Sequence, residues 1–159
     1  MMPAQGWTPA IPVGSKNMTK YSVQDIVLRA KSGLPSRDIQ KEAHTAYYLG
    51  KLNEEQENFK VALSFYKRLY FCSRILEDPF GASLALNRLG IVYFKSKKII
   101  KSIKFHMKHC KITDNDNAFI AYYNIAICHR ILADYSKAYW YFSKALEWSQ
   151  FREVSIQPS

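Results

Sequence analysis

Three common sequence signatures are missing from this chain of 159 residues. There is no run of 18 or more apolar residues, which argues against a transmembrane helix. The first 21 residues lack the unbroken apolar stretch of a secretory signal peptide. The three cysteines are odd in number and include no Cys-x-x-Cys pair. Together these absences predict free thiols in a reducing compartment, and we expect a cytoplasmic location.

Sequence motifs for catalysis are scarce as well. No glycine-rich phosphate loop occurs. Cys128 and His129 are neighbours on a predicted helix, where adjacent side chains point about 100° apart and cannot act on each other as nucleophile and base. The adjacent carboxylates of Glu54 and Glu55 fall in a predicted turn, where we expect them to be solvated. The sequence therefore predicts a protein that is not an enzyme and needs no cofactor.

Positive charge is in excess, with a formal net charge of +10. Lysine outnumbers arginine more than two to one, and the densest basic stretch is KSKKIIKSIKFHMKHCK, from Lys95 to Lys111. Its charges alternate with apolar residues as they would on the exposed face of an amphipathic helix. Two interpretations stay open: the charge attracts an anionic partner, or it reflects a lysine-rich composition.

The sequence repeats itself. Three blocks align without internal gaps: Ala46–Leu69, Leu86–His109 and Tyr122–Ala145. Small residues share two positions of the alignment, namely Gly50, Gly90 and Ala126, then Ala62, Ser102 and Ala138. Large residues share two more, namely Phe59, Ile99 and Tyr135, then Tyr66, His106 and Phe142. Each block predicts two amphipathic helices that touch at the small residues, while the large residues fill the space between helices and neighbouring blocks.

The third block, NIAICHRILADYSKAYWYFSKAL, resembles the tetratricopeptide repeat (TPR), and the resemblance covers roughly residues 37–152. It implies an all-α fold, an α-solenoid of three antiparallel helix pairs plus a short N-terminal helix. Block starts 40 and 36 residues apart are similar to the longer-period TPRs of cytoskeletal adaptors. We expect a flexible arm at 1–21, a helix at 22–35, the repeats at 36–153 and a tail at 154–159.

The histidines and cysteines of the second and third blocks are candidate ligands of a metal ion. His106 and Cys110 are four residues apart on one helix face, and thiolate and imidazole ligands suit zinc. In the repeat alignment, however, His106 and His129 occupy positions where the family has buried aromatic residues. His109 and Cys110 fall in rows that pack between helices. We therefore expect these residues to be structural and expect no metal.

The family would bind its partners in a concave groove lined by the first helix of each pair. The matching positions are Tyr47, Lys51, Asn87, Ile91, Phe94, Tyr123, Ile127 and Arg130. Of the clamp with which chaperone-binding members hold a terminal carboxylate, only fragments match, such as Asn124. The remaining positions suit an amphipathic helix or an extended peptide. They would equally pack against a longer neighbouring helix or the N-terminal segment.

The last predicted helix presents aromatic residues, Tyr139, Trp140 and Trp148, with no amphipathic helix after it. We expect an open-end interface here, for self-association or a partner, or else masking by the N-terminal arm with Trp7. The sequence predicts a protein–protein adaptor or a structural subunit of a larger assembly, and the longer repeat period favours a cytoskeletal or ciliary one. An acidic surface such as a microtubule is one candidate partner. The alternative is an RNA-associated helical-repeat protein, although nucleic acid fits less well because arginine is sparse.

Overall fold

A computed structural model describes residues 36–113 and 117–155 of the chain. Within these ranges every regular element is helical, which confirms the predicted all-α class. The six helices are α1 (Ser36–Glu55), α2 (Phe59–Ile75), α3 (Pro79–Lys95), α4 (Ile99–Ile112), α5 (Ala118–Ile131) and α6 (Tyr135–Ser155). The predicted arm at 1–21 and the predicted helix at 22–35 lie outside the described residues.

The described residues divide into two compact units, residues 36–85 in the first and residues 86–113 and 117–155 in the second, and α3 contributes to both. In the first unit α1 packs against α2. In the second, the later part of α3 contacts α4, and α5 packs against both α4 and α6. Each unit is therefore built from neighbouring antiparallel helices, as the repeated blocks predict.

Aspartates begin two of the helices. The Gly81 backbone N–H donates to Asp78 Oδ1 at 3.0 Å, and the Lys137 N–H donates to Asp134 Oδ1 at 3.3 Å. Each bond satisfies a backbone donor that a helix start otherwise leaves free. Pro79 follows Asp78 as the first helical residue, where its missing N–H costs nothing.

The short turns between helices share an unusual backbone feature. A residue other than glycine has a positive φ in each of them: Glu57 at 61°, Glu77 at 52°, Lys97 at 63° and Ala133 at 58°. The left-handed conformation ends a helix tightly and is usually supplied by glycine, because a Cβ atom clashes there. These four turns therefore contain local strain that the packed helices on either side maintain.

In the first unit the small positions bring α1 and α2 together. A Cβ atom on Gly50 would lie 2.6 Å from the Tyr66 ring, and Ala62 is fully buried. Tyr66 is also fully buried, and its hydroxyl donates to Glu54 Oε2 at 2.7 Å. The prediction that Glu54 is solvated is therefore wrong. The α1 helix continues through Glu54 and turns its carboxylate toward Tyr66, while Glu55 stays exposed.

In the second unit the same positions recur with different chemistry. A Cβ atom on Gly90 would lie 2.5 Å from the His106 imidazole. Ser102 stands where the other blocks have alanine, and its buried hydroxyl donates to the Gly90 carbonyl at 2.7 Å. Ala126 and Ala138 are buried as predicted. Tyr135, predicted to fill a gap between helices, is instead 68% exposed, because no other helix among the described residues covers that part of α6.

Candidate binding surfaces

The predicted groove positions of the first unit lie on one side of α1. Tyr47 is half-buried, and Lys51 is exposed with its Nζ atom 4.0 Å from Glu55 Oε1. One turn earlier, His44 lines a shallow depression of about 170 Å³ between α1 and the turn that precedes α3. Its other lining residues are Gln40, Ala43, Leu76 and Asp78. This surface offers a small recess with both polar and apolar lining, on the side of α1 that also carries Tyr47 and Lys51.

The predicted groove positions of the second unit occupy two helices with the same spacing. Asn87, Ile91 and Phe94 lie on one face of α3, and Tyr123, Ile127 and Arg130 lie on one face of α5. The three α3 residues and Ile127 are half-buried, whereas Tyr123 and Arg130 are exposed. The Tyr123 ring meets the Phe142 ring edge-on at 5.6 Å, so α6 supports it from behind.

One hydrogen bond brings these two faces together. Asn124 Nδ2 donates to Asn87 Oδ1 at 3.1 Å, which places the α3 and α5 surfaces side by side. The pairing leaves the Asn87 amide N–H groups and the Asn124 carbonyl oxygen without a hydrogen bond to any described residue. A donor and an acceptor are therefore available next to Ile91 and Ile127. The sequence shows an asparagine close to the shared leucine position in both blocks, but their contact is visible only in the structure.

The predicted open-end residues are not all on the same side of α6. Tyr139 is 76% exposed and Trp140 is 52% exposed, while Trp148 is half-buried. Nine residues separate Tyr139 from Trp148, which corresponds to half a turn around the helix. The Trp140 ring is held by an edge contact with Tyr141 at 4.8 Å and by Lys144, whose Nζ lies 5.8 Å from it.

The histidines of the second and third blocks are packed against neighbouring side chains. His106 is 2% exposed, and burial together with the nearby His109 lowers its pKa to about 4. The His129 ring stacks on Tyr141 at 5.4 Å. His106 and His129 therefore pack as neutral rings at repeat positions where the family has aromatic residues.

Two of the three cysteines, Cys72 and Cys128, are buried as well. Cys128 is buried with its sulfur 3.4 Å from Ser102 Oγ, and burial raises the pKa of the Cys72 thiol to about 12. Such thiols are poor nucleophiles, because the reactive form is the thiolate. Within residues 36–113 and 117–155, no three His, Cys, Asp or Glu side chains are grouped so that they could hold a metal ion. No helix in these ranges is long and apolar enough to cross a bilayer.

These features define an all-α helical-repeat protein of the solenoid class. Two solved structures with the same architecture are BtubC from P. vanneervenii and MamA, both helical-repeat proteins. The BtubC match has a TM-score of 0.66 and 16% identity and covers 86% of this chain. The MamA match has a TM-score of 0.61 and 22% identity and covers 83% of this chain and 81% of MamA.

This chain spans 56% of the length of BtubC. No family model matches the sequence, and no curated protein does. At these identities the structural likeness establishes the fold and leaves the partner open.

Proposed function

We propose that this chain is a non-catalytic protein–protein interaction module of the TPR type, an adaptor or a structural subunit of a larger assembly. Its partner is a peptide or helix that lies on the face formed by α3 and α5 in the second unit. The observation that carries the proposal is the hydrogen bond between Asn124 and Asn87. It sets polar groups with unused bonding capacity among half-buried apolar side chains.

Such a face recognises a peptide through two kinds of contact. Burying the exposed parts of Ile91, Ile127 and Tyr123 would contribute apolar binding energy, about 25 cal/mol for each Å² removed from water. The free asparagine donor and acceptor match the N–H and C=O groups of a peptide bond, and each such hydrogen bond contributes about 0.5–1.5 kcal/mol. The apolar residues would therefore supply most of the affinity, and the asparagines would fix the register of the bound segment.

The test is a selection of peptides from a random display library against the full chain. Affinities of the selected peptides are then measured by fluorescence anisotropy. Ile127→Ser and Asn124→Ala should each weaken binding, Ile127→Ser about tenfold or more, because it removes most of one apolar contact. Val61→Ser is the matched control, since Val61 is a 45% exposed β-branched residue on α2 of the first unit.

Three results would contradict this proposal. One is a selection that yields no peptide with measurable affinity. Another is a set of peptides that bind Ile127→Ser and Asn124→Ala as tightly as the unchanged chain. The third is an equal loss in Val61→Ser and Ile127→Ser, because it would indicate non-specific adhesion.

The finer version of the proposal places the module in the cytoplasm on an acidic cytoskeletal surface, such as a microtubule of a cilium. Its support is the net charge of +10, and the same charge supports the RNA-associated alternative. A salt titration separates these candidates from peptide binding. RNA affinity should fall steeply with salt because counterions are released, whereas peptide binding on the α3–α5 face should respond mainly to Tyr123→Ala or Ile127→Ala.

A further inference from the structure

One face of α4 is covered with lysines. Lys101, Lys104, Lys108 and Lys111 are spaced three and four residues apart, so they share one side of the helix, and all four are exposed. Ile100 and Met107 lie on the same side and are 68% and 44% exposed. We call these six residues the lysine face. We propose that it docks on an anionic lipid bilayer, a role that goes beyond the peptide-binding proposal and does not depend on it.

The charge of the lysine face is not neutralised by the residues that the structure describes. None of its four lysines forms an ion pair with them, and α4 contains no Asp or Glu. The two carboxylates of the second unit whose side chains are described are engaged elsewhere. Asp134 pairs with Lys137 at 3.1 Å, and Glu147 pairs with Lys144 at 2.9 Å. The lysine face is therefore available to an external anion.

The basic charge of the chain is also concentrated in this unit. Residues 86–159 contain twelve Lys and Arg against five Asp and Glu, so they carry +7 of the formal net charge of +10. Lys97 and Lys98, both exposed, extend the positive surface into the turn before α4. An evenly lysine-rich composition would divide the charge more equally between the two units.

The two apolar side chains decide which anion fits best. RNA offers phosphate to the lysines but no apolar layer to Ile100 and Met107. Protein interfaces bury residues such as Met but are depleted in lysine. A bilayer accepts both kinds of side chain, because lysines meet the charged headgroups while apolar residues enter the boundary with the acyl chains. Lysine is sufficient here, since a headgroup layer requires positive charge rather than the fixed hydrogen-bonding fork of arginine.

Aromatic rings support two of the lysines from beneath. Lys101 Nζ lies 5.8 Å from the centre of the Tyr93 ring, and Lys108 Nζ lies 5.2 Å from the centre of the Phe105 ring. These contacts restrict the side chains before any partner binds, so less rotamer freedom is lost on docking. The lysine face is thus partly ordered in advance.

Vesicle flotation of the full chain tests the proposal. We expect binding to mixed phosphatidylcholine–phosphatidylserine vesicles, little binding to phosphatidylcholine alone, and release as salt is raised. Lys104→Glu/Lys111→Glu should lower the partition coefficient at least 25-fold, about fivefold for each lysine charge lost. The control is Lys60→Glu/Lys67→Glu, which makes the same charge change at two exposed lysines of α2 and should bind nearly as well as the unchanged chain.

Ile100→Ser/Met107→Ser separates a bilayer from other polyanions. The variant should bind the anionic vesicles several-fold more weakly at unchanged net charge, and circular dichroism checks that it remains folded. The proposal is overturned if anionic vesicles fail to float the chain, or if the α2 control loses as much binding as the α4 variant. It is also overturned if the Ile100/Met107 variant binds vesicles normally, or if RNA or an acidic polypeptide binds the lysine face more tightly than the vesicles do.

Discussion

A Cβ atom on Gly90 would lie 2.5 Å from the Cε1 and Nε2 atoms of His106. Glycine and histidine are therefore a matched pair at the contact between α3 and α4, just as Gly50 and Tyr66 are at the contact between α1 and α2. The large residue is tyrosine between α1 and α2 and histidine between α3 and α4, but in both contacts it packs against a glycine.

Gly90→Val should lower the free energy of unfolding by about 1–3 kcal/mol, because the added methyl groups overpack a closed helix contact. Urea denaturation measures the effect. In Gly90→Val/His106→Ala the loss should be smaller than the sum of the two single losses, since removing the imidazole makes room for valine. Strict additivity of the two changes would show that the clash is relieved elsewhere.

Acid should destabilise the protein through His106. Burial is the main cause that holds its folded pKa near 4, below the ordinary 6.5, so the unfolded chain binds the proton more tightly. The stability that this group contributes is present above pH 6.5 and is lost as the pH falls toward 4, up to about 3 kcal/mol. His106→Phe should flatten this part of the stability curve, measured by urea denaturation at a series of pH values. Parallel curves for the two proteins would contradict the assignment.

The sequence was sufficient for the helix pairs and for their contact points. Small residues that recur at the same positions of the repeat alignment predict where two helices approach closely, whichever side chains lie opposite. The contact of α1 and α2 at Gly50 and Ala62 could therefore be predicted from the sequence. The N-cap at Asp78 was equally predictable, because Pro79 directly follows it.

Side-chain partners could not be predicted in the same way. The sequence predicts a solvated Glu54 because it places this residue in a turn, but the environment of Glu54 depends on how far α1 extends and on a hydroxyl twelve residues away. The contact between Asn87 and Asn124 joins residues 37 positions apart on two helices. Such pairings depend on helix rotation and on helix ends, which are the least certain features of a repeat alignment.

The bond between Tyr66 and Glu54 should stabilise the first unit. Tyr66→Phe removes the hydroxyl donor from a carboxylate that is 5% exposed, and we expect it to cost about 1.5–3 kcal/mol in the free energy of unfolding. Tyr70→Phe, a change of the same kind at a half-buried residue of α2, is the matched control and should cost little. Equal effects of the two substitutions in urea denaturation would show that the bond adds no net stability.

Ala133→Gly should stabilise the protein. Ala133 has a φ of 58° in the turn between α5 and α6, a conformation in which a Cβ atom is strained and glycine is not. We expect a gain of about 0.5–1 kcal/mol, after the greater freedom of glycine in the unfolded chain is taken into account. Ala138→Gly is the opposite control, because Ala138 lies buried inside α6 and should lose stability. A lower thermal midpoint for Ala133→Gly would refute the expectation.

A row of apolar residues on α6 is exposed, whereas the residues aligned with it in the preceding block are partly buried. Tyr135, Tyr139 and Leu146 are 68%, 76% and 60% exposed. The aligned residues of α4 are Ile99, Ile103 and Cys110, and all three are half-buried. The α5 helix packs on that side of α4, where Cys128 lies 3.4 Å from Ser102. The α6 row therefore resembles a surface against which another helix packs, but no helix among the described residues covers it.

We predict that two copies of the chain associate through this row of α6. Sedimentation velocity should show a concentration-dependent dimer, because burying three large apolar side chains contributes about 1.5–3 kcal/mol each when they are fully covered. Tyr139→Lys/Leu146→Lys should produce a monomer, since two cations would face their copies across a symmetric contact. Ser136→Lys/Ser143→Lys adds the same charge at exposed serines on the neighbouring side of α6 and should leave the dimer largely intact. A monomer at every concentration in the unchanged chain would contradict self-association.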